Sequence, residues 1–352
     1  MTDIGIVGAG AAAASTAYVL DGAVPDAEIT VLEKSGGLCG RAATRRHGDI
    51  TYDYGANYLK DDDERVTELV TETLDSEGLV DITDPIYAYE ADGEIGEGRD
   101  ADDHKWTYES GLTQIAKRLF GRTDATIHRN TRVETVSRLP ADEGRGSGQW
   151  RLTDTDGEQW GPFDVLVLNP PAPQTAELLR DAEWDHDLRA ELAAAAESVP
   201  YASVWTALLH YPFELDRPYY AVVNTDKEHE IGWIAREECK PGHVPDGESL
   251  LVVQSGNQWA ADHYDDPAAD NVAELIELTA ELLGDERLTE PDWTDHQGWR
   301  YALPEDGVRQ GPLDSAADHG LYCVGDWIPG EGRLHAALRN GLETGEKIAY
   351  GI

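Results

Sequence analysis

A glycine turn near the start of the chain limits most strongly what this sequence can fold into. Residues 4–7 (Ile-Gly-Ile-Val) are apolar and predict a buried parallel strand, which the turn at Gly8 and Gly10 ends. Small residues at 11–20 then predict a helix, and residues 29–32 predict a second buried strand. A strand, a glycine turn, a helix and a strand in this order form one βαβ unit.

The spacing inside this turn is that of a dinucleotide-binding site. Gly8 permits the tight turn, Gly10 has no side chain to block a pyrophosphate, and Ala13 lets the helix pack closely on the strand. The helix N-terminus offers backbone N–H groups to the phosphates. Glu33 ends the second strand, about 20 positions on, where an acidic residue holds the ribose hydroxyls. An NAD site and an FAD site satisfy this pattern equally.

Three further segments separate these two alternatives. They are Gly-Arg-Ala-Ala-Thr at 40–44, Asp-Tyr-Gly-Ala-Asn-Tyr at 53–58, and Gly-Asp at 325–326 followed by Gly-Arg-Leu-His-Ala-Ala-Leu-Arg-Asn-Gly at 332–341. They resemble the FAD-contacting segments of the flavin amine oxidase superfamily, which implies FAD, bound non-covalently, as the cofactor. The cofactor-contacting residues that the turn and this resemblance imply are Gly8, Gly10, Ala12, Ala13, Glu33, Lys34, Gly40, Arg41, Thr44, Gly55, Ala56, Asn57, Val133, Gly325, Asp326, Arg333, His335, Ala336 and Ala337.

The resemblance also implies roles for some of these residues. Arg41 clasps the pyrophosphate, residues 55–56 run beside the isoalloxazine, and Asp326 accepts from the ribityl or phosphate region. Residues 336–337 open a helix whose N–H groups face flavin N1 and O2, which stabilises the anionic reduced flavin. One departure is that residues 12–13 are alanines where relatives commonly have glycine.

The middle of the chain narrows the resemblance. Asn-Pro-Pro-Ala-Pro-Gln at 169–174, Gly-Trp-Ile-Ala-Arg-Glu at 232–237, Lys-Pro-Gly at 240–242, Gln-Trp at 258–259 and Trp-Arg-Tyr-Ala at 299–302 resemble the renalases and their bacterial relatives. The implied activity is oxidation of isomeric 2- or 6-dihydro forms of reduced NAD(P) to NAD(P)+, with hydride transfer to flavin N5 and O2 as electron acceptor. Two alternatives remain: a flavin amine oxidase or desaturase of unknown substrate, and a non-catalytic FAD-bound redox sensor.

Aromatic and basic residues are expected on the substrate side of the flavin. Tyr58 follows the segment that passes the flavin, and Trp299 and Tyr301 are two apart, so on a strand both would face one side. For each aromatic residue, packing in the core is the competing interpretation. Arg300 and Arg236 could hold a substrate carboxamide or phosphate, although a surface ion pair is the stronger interpretation for Arg236. Tyr58, Trp299, Arg300 and Tyr301 are the predicted catalytic-site residues.

The charge of the chain excludes one class of partner. Asp and Glu total 69 against 28 Lys and Arg, for a formal net charge of -41. The acids are spread over the whole sequence, which indicates a solvated coat suited to a salt-rich, halophilic archaeal cytoplasm. An acidic mesophilic protein with a basic partner is the alternative. Nucleic acid is excluded as a ligand because no basic patch is visible.

Other residue types exclude further chemistry. The three cysteines have no metal or disulfide spacing, and no histidine pair has ligand spacing, so neither a metal nor a disulfide framework is expected. The sequence contains no run of about 20 apolar residues, which is the length that a membrane-spanning helix needs. The first three residues, Met-Thr-Asp, lead directly into the predicted strand at residues 4–7, so no signal peptide is expected and a cytoplasmic location is predicted.

We therefore predict a two-domain α/β flavoprotein. Its Rossmann-like FAD-binding domain has a parallel sheet and uses residues 1–62, 113–180 and 314–352. An inserted α+β substrate-binding domain, with a mixed or antiparallel sheet, uses residues 63–112 and 181–313. The partners expected are a small dinucleotide substrate and O2; the sequence gives no oligomeric state.

Overall fold

The computed structural model describes residues 2–98, 103–140 and 148–352. The strands within these ranges are β1 Thr2–Val7, β2 Ala27–Glu33, β3 Thr44–His47, β4 Ile50–Asp53, β5 Leu59–Lys60, β6 Leu79–Asp81, β7 Ile86–Tyr89, β8 Gly96–Glu97, β9 Lys105–Tyr108, β10 Thr126–Arg129, β11 Val133–Leu139, β12 Gln149–Asp154, β13 Gln159–Phe163, β14 Val165–Leu168, β15 Tyr201–Tyr211, β16 Ala221–Asn224, β17 Ile231–Arg236, β18 Ser249–Ser255, β19 Trp293–Pro304 and β20 Leu321–Cys323. The α-helices are α1 Ala11–Ala23, α2 Glu64–Glu68, α3 Thr113–Phe120, α4 Ala172–Arg180, α5 Asp187–Glu197, α6 Asn257–His263, α7 Ala268–Leu283, α8 Gln310–Ala317 and α9 Leu334–Gly351.

A five-stranded parallel sheet carries the glycine turn, with the strand order β10-β2-β1-β14-β20. Ile4 of β1 lies opposite Ile29 on one side and Val165 on the other. Ile4 and Ile6 belong to the core that α1, α3 and α9 cover, whereas Leu166 belongs to the core that α4 and α5 cover. Because both faces are buried, these strands are continuous apolar runs.

A separate seven-stranded sheet occupies the middle of the chain, with the order β19-β15-β18-β17-β16-β7-β8. Its pairs are antiparallel except for the parallel pair β16–β7. Val272 and Leu275 of α7 share a buried cluster with Leu251 and Val253 of β18. Three small antiparallel sheets, β3–β4, β5-β9-β6 and β11-β12-β13, complete the topology. This architecture, a Rossmann-like α/β unit with a separate mixed sheet, confirms the predicted fold class; the residue boundaries of the two domains stay a prediction.

The amphipathic pattern over residues 63–77 predicts a helix, as does the pattern over 175–198, and the structure differs at both. The helix expected over 63–77 is α2 followed by one π-helical turn, Leu69–Thr73, and extended backbone begins at Leu74. The helical pattern over 175–198 corresponds to two helices, α4 and α5, because the linker between them pairs with β11. Glu183 N–H donates to the Val136 carbonyl at 2.8 Å, and Arg138 N–H donates to the Glu183 carbonyl at 2.9 Å. No helix of the described residues is both long and apolar enough to cross a membrane.

The contact between α1 and α9 joins the two ends of the chain. Ser15 Oγ donates to the Leu338 carbonyl at 2.9 Å, and Thr16 Oγ1 to the Gly341 carbonyl at 3.0 Å. A Cβ atom at Gly341 would clash with Ser15 Oγ and the Ala12 carbonyl oxygen. Close approach of the helices therefore requires glycine at this position.

We expect Gly341→Ala to lower the free energy of unfolding by about 1–3 kcal/mol, because the added methyl group overpacks this contact. The matched control is Gly22→Ala in α1, where nothing lies within 4 Å of the added Cβ. This control substitution should leave the free energy of unfolding unchanged or raise it by about 0.4–1 kcal/mol, since alanine restricts the conformations of the unfolded chain. Urea unfolding in molar KCl measures both, and equal effects at the two sites would contradict the packing argument.

Candidate cofactor and substrate site

The glycine turn after β1 is fixed by hydrogen bonds to side chains from other parts of the sequence. Gly8 has a φ of 93°, which favours glycine. Gly10 N–H donates to Asn169 Oδ1 at 3.0 Å, and a Cβ at Gly10 would lie 2.5 Å from that oxygen. Ala11 and Ala12, at the N-terminus of α1, line the cavity in front of the turn. The turn therefore forms a cradle that only glycine leaves open, with helix N–H groups behind it.

Glu33 fixes the same turn from the end of β2. Its buried carboxylate accepts from Ala9 N–H at 2.7 Å, and from Ser35 N–H at 2.8 Å and Ser35 Oγ at 2.7 Å. Its neighbour Lys34 contacts Gln174 Oε1 at 3.3 Å. Glu33 thus shapes the turn in addition to its predicted contact with a ribose.

An ion pair closes the opposite side of the cavity. Arg41 Nη2 lies 2.6 Å from Asp326 Oδ1, and Arg41 Nη1 donates to the Ala302 carbonyl at 2.7 Å. Burial alone would lower the pKa of Arg41, but Asp326 outweighs burial and the pKa rises, so the guanidinium stays charged. Ala56 N–H donates to the Arg41 carbonyl at 2.9 Å, and a Cβ at Gly55 would clash with that carbonyl.

One cavity of about 2430 Å³ brings the predicted site residues together. Every predicted cofactor and catalytic residue lines it except Ala13 and Ala336, which are completely buried. Ala13 packs in the core that α1, α3 and α9 cover on one face of the parallel sheet. His335 lines the cavity with its Nε2 atom 2.8 Å from Glu331 Oε1. The two ends of the chain and its middle therefore meet at one site.

Aromatic rings form one part of this wall. Tyr58 lies 6.2 Å from Tyr220 and 6.2 Å from Trp233, measured between ring centroids. Burial raises the pKa of Tyr58, which keeps its hydroxyl protonated. Trp299 stacks on Tyr54 at 5.3 Å, and its Nε1 donates to the Tyr54 carbonyl at 3.1 Å. The aromatic part of the wall is thus two sets of packed rings.

The strand carrying Trp299 is irregular beyond that residue. Trp299 pairs with Val204 and Leu303 with Ala202, so the intervening residues bulge out of register. Tyr301 packs on Tyr201 at 5.7 Å and still lines the cavity. The alternation expected of a regular strand therefore does not apply to Trp299 and Tyr301.

The two arginines considered as substrate holders are engaged elsewhere. Arg300 is half exposed, pairs with Asp265 at 2.6 Å and lies over the Tyr264 ring, although it borders the cavity. Arg236 is buried and does not line the cavity; it pairs with Glu238 at 3.0 Å. The ion pair expected for Arg236 is present but lies inside the protein, because its Nη1 also donates to two backbone carbonyls.

Sequence reasoning missed several residues of the wall. Tyr54 and Trp233 lie in segments that carry the resemblance but had no assigned role. Gln254 donates to the Gly55 carbonyl at 2.7 Å, and Asn169 Nδ2 donates to the Val324 carbonyl at 3.2 Å. For Asn169 the signal is its position directly after the apolar run Val-Leu-Val-Leu at 165–168, which predicts a buried strand.

A fully buried ion cluster lies behind the aromatic wall. Lys240 Nζ is 2.6 Å from Glu237 Oε1 and 3.2 Å from Asp53 Oδ2. His243 Nδ1 is 2.6 Å from Glu237 Oε2, and its Nε2 is 3.0 Å from the Tyr108 carbonyl. Burial alone would raise the pKa of Glu237, but Lys240 and His243 lower it, so Glu237 is ionised. Each ring nitrogen of His243 therefore has an oxygen atom within hydrogen-bond distance.

Asp53, Glu237 and His243 are close enough together to share a metal ion. The Lys240 ammonium lies between the two carboxylates, so the cluster already contains its own cation. We term these four residues the buried ion cluster.

The charge of the cavity wall opposes that of the whole chain. Among the described residues that line it, basic side chains outnumber acidic ones, twelve to eight, in a chain with 28 basic and 69 acidic residues. The basic residues are Lys34, Arg41, Arg45, Arg46, Lys60, Lys105, Lys117, Arg129, Arg132, Lys227, Arg300 and Arg333. The acidic ones are Glu33, Asp62, Asp103, Glu134, Glu177, Asp181, Glu305 and Asp326. A polyanionic ligand is therefore favoured here.

The fold and this cavity are those of a dinucleotide-binding protein. The chain belongs to the family of flavin-containing amine oxidoreductases, whose model matches residues 99–349, and an NAD(P)-binding Rossmann-like domain matches residues 6–73. It is an FAD-dependent oxidoreductase, which confirms the predicted cofactor and enzyme class. The cradle at Gly10 and the buried, unpartnered Asn57 Oδ1 on the cavity wall fit this cofactor.

Solved structures share the fold over the entire chain. A protein from Exiguobacterium sp., provisionally named a protoporphyrinogen oxidase, has a TM-score of 0.77 at 16% identity, covering 100% of this chain and 99% of its own. Reduced UDP-galactopyranose mutase has a TM-score of 0.76 at 11% identity, covering 100% and 94%. Putrescine oxidase bound to putrescine has 0.71 at 12% identity, covering 99% of each chain. At these identities the likeness shows the fold alone.

We expect Glu33→Gln to weaken FAD binding about ten- to a hundred-fold, since a charged acceptor worth about 1.5–3 kcal/mol is lost. The matched control is Glu28→Gln, an exposed glutamate on the same strand that does not line the cavity. Quenching of FAD fluorescence by the apoprotein in molar KCl measures both affinities. If Glu33→Gln bound FAD as tightly as the parent protein, the assignment of Glu33 to the cofactor site would be wrong.

Proposed function

We propose that this chain is a renalase-like oxidase that converts isomeric 2- or 6-dihydro forms of reduced NAD(P) to NAD(P)+. FAD, when bound, supplies a hydride acceptor at its N5 atom and passes the electrons on to O2. The predicted cofactor residues at both ends of the chain hold FAD, and residues from the mixed sheet face the substrate. We also propose a halophilic, cytoplasmic setting, so that every assay is made in molar KCl.

The observation that carries this proposal is the size and charge of the cavity. At about 2430 Å³ it exceeds the roughly 300–1,000 Å³ of an ordinary ligand site, so it has room for FAD and a second large ligand. Its wall has an excess of basic side chains in a strongly acidic protein. A second dinucleotide, with its own phosphates, fits both properties.

The basic residues away from the glycine turn would hold the phosphates of this substrate. Lys105 is 3% exposed and lines the cavity, and its Nζ donates to the Asp103 carbonyl at 3.0 Å. No carboxylate of the described residues forms an ion pair with it, and a buried ammonium without one favours an anion nearby. Lys227 lines the same cavity, whereas Lys60, which lies opposite Lys105 in the β5–β9 pair, is already paired with Asp62 and Asp103.

The nicotinamide ring would lie against the aromatic wall. Tyr58, Trp233 and Trp299 line the cavity, and each ring packs against another. Flat rings fix the plane of a bound ring and exclude water, so only certain ring carbons reach the cofactor. Positioning of this kind needs no acid or base when the transferred group is a hydride.

Amine oxidation is the second candidate function. It is favoured by the family to which the chain belongs and by the structural likeness of the chain to putrescine oxidase. An amine substrate carries positive charge and would need an available carboxylate. Asp62 and Asp103, the carboxylates near Tyr58, are 3.1 and 3.4 Å from Lys60 Nζ and already paired. The excess of basic residues in the wall therefore disfavours a cationic substrate.

Product analysis under air tests the proposal. Each 2- or 6-dihydro dinucleotide should react with one O2 and one proton to give one NAD(P)+ and one H2O2. Putrescine and cyclohexylamine, tested in parallel, should yield no H2O2 above background. Peroxide formed from an amine but not from the dinucleotide isomers would replace this function with amine oxidation. No peroxide and no bleaching of the flavin with any donor would favour the redox sensor.

A further inference from the structure

The four residues of the buried ion cluster, Asp53, Glu237, Lys240 and His243, do not line the cavity themselves, but Asp53 contacts Thr44 and leads into a loop, and both of these line it. Asp53 ends β4, and the loop that follows it, residues 54–58, forms much of the aromatic wall. We propose that this cluster positions the 54–58 loop, and that Lys240 is the positioning residue on which its geometry depends.

Asp53 joins the cluster to several neighbouring elements. Its Oδ1 accepts from Thr44 Oγ1 at 2.7 Å and from Leu112 N–H at 3.0 Å. Its Oδ2 accepts from Lys240 Nζ at 3.2 Å and lies 3.4 Å from Thr107 Oγ1. Strand β3, the start of α3, strand β9 and the turn after β17 therefore converge on one carboxylate at the root of the loop.

The loop itself is held mainly by side chains that bind its carbonyls. Trp299 Nε1 donates to the Tyr54 carbonyl at 3.1 Å, and Gln254 Nε2 to the Gly55 carbonyl at 2.7 Å. These bonds fix the loop only if its starting point is fixed too. The cluster supplies that starting point, since Asp53 N–H also contacts Glu237 Oε2 at 3.3 Å.

The cluster places two carboxylates beside the Lys240 ammonium and the His243 ring. One arrangement is favoured in a fully buried cluster of this kind, because every lost contact leaves a charge uncompensated. Removal of Lys240 alone leaves additional negative charge, which Asp53 relieves by taking up a proton or by moving toward water. Removal of Lys240 together with the charge of Asp53 leaves the net charge of the cluster unchanged but releases the loop.

This difference separates positioning from stability. The FAD-loaded double variant Asp53→Asn/Lys240→Met should unfold close to the parent protein in urea. Amide hydrogen exchange in residues 54–58 should nevertheless be at least about tenfold faster, with exchange in α9 unchanged. The absorption spectrum of its bound FAD should also shift. The control double variant Asp314→Asn/Lys347→Met removes an exposed ion pair whose atoms are 2.9 Å apart. It should change neither the hydrogen exchange of residues 54–58 nor the absorption spectrum of the bound FAD.

A measurement on the parent protein covers the case in which the double variant does not fold. Residues 54–58 and 237–243 should exchange through one shared opening, with the same dependence on urea. Independent openings, or a folded double variant with parental exchange and parental FAD spectrum, would overturn the proposal. These readouts use no substrate, so their outcome is independent of whether the donor is a dinucleotide or an amine.

Discussion

Lys240→Met should lower the free energy of unfolding by about 3–5 kcal/mol. Lys240 is completely buried between the carboxylates of Asp53 and Glu237, and methionine fills its volume without its charge. Breaking a buried ion pair from one side leaves an uncompensated charge in a water-free environment, which accounts for the large cost. Urea unfolding of the FAD-loaded protein in molar KCl measures the difference.

The matched control for this prediction is Lys347→Met. Lys347 pairs with Asp314 at a similar distance, 2.9 Å, but both side chains are more than half exposed. Its loss should change the free energy of unfolding by no more than about 1 kcal/mol. If the two lysine variants were equally stable, the cluster would not be a structural unit.

Tyr58→Leu should slow reduction of the bound flavin about a hundredfold while FAD affinity stays near that of the parent. The reason is positional: Tyr58 packs between Tyr220 and Trp233 on the cavity wall, and a donor displaced by about 1 Å can react a hundredfold more slowly. Anaerobic stopped-flow absorbance at saturating donor gives the rate constant. Trp299→Leu should act in the same direction, with the Tyr54 carbonyl losing its donor.

Tyr350→Leu is the control for this prediction, since Tyr350 is 97% exposed and does not line the cavity. Its rate constant should equal that of the parent. Parental rates in the folded Tyr58 and Trp299 variants would place the substrate against another part of the wall.

The cofactor half of the site could be predicted because its chemistry is local in sequence. The strand, the turn at Gly8 and Gly10, the helix and Glu33 fall within one continuous stretch, and each obeys a short-range rule. The buried strands could be predicted for the same reason, since a parallel strand covered on both faces must be apolar along its length.

The rest of the site depends on contacts between distant residues, which a single sequence does not reveal. Lys240 and Asp53 are 187 positions apart, and Asn169 and Gly10 are 159 apart. The Lys-Pro-Gly segment at 240–242 is one of those that carry the resemblance, but nothing local in the sequence shows that its lysine is buried. The bulge after Trp299 likewise follows from pairing with β15, so alternation along the strand could not anticipate it.

Anaerobic reduction of the FAD-loaded protein by a panel of donors tests the account most directly. The donors are the 2-, 4- and 6-dihydro forms of NAD(P) and putrescine, each followed by loss of oxidised-flavin absorbance in molar KCl. A cation-lined cavity that clamps a nicotinamide ring should give reduction by the 2- or 6-dihydro form at least about a hundredfold faster than by the 4-dihydro form or putrescine. Faster reduction by putrescine than by every dinucleotide would contradict it.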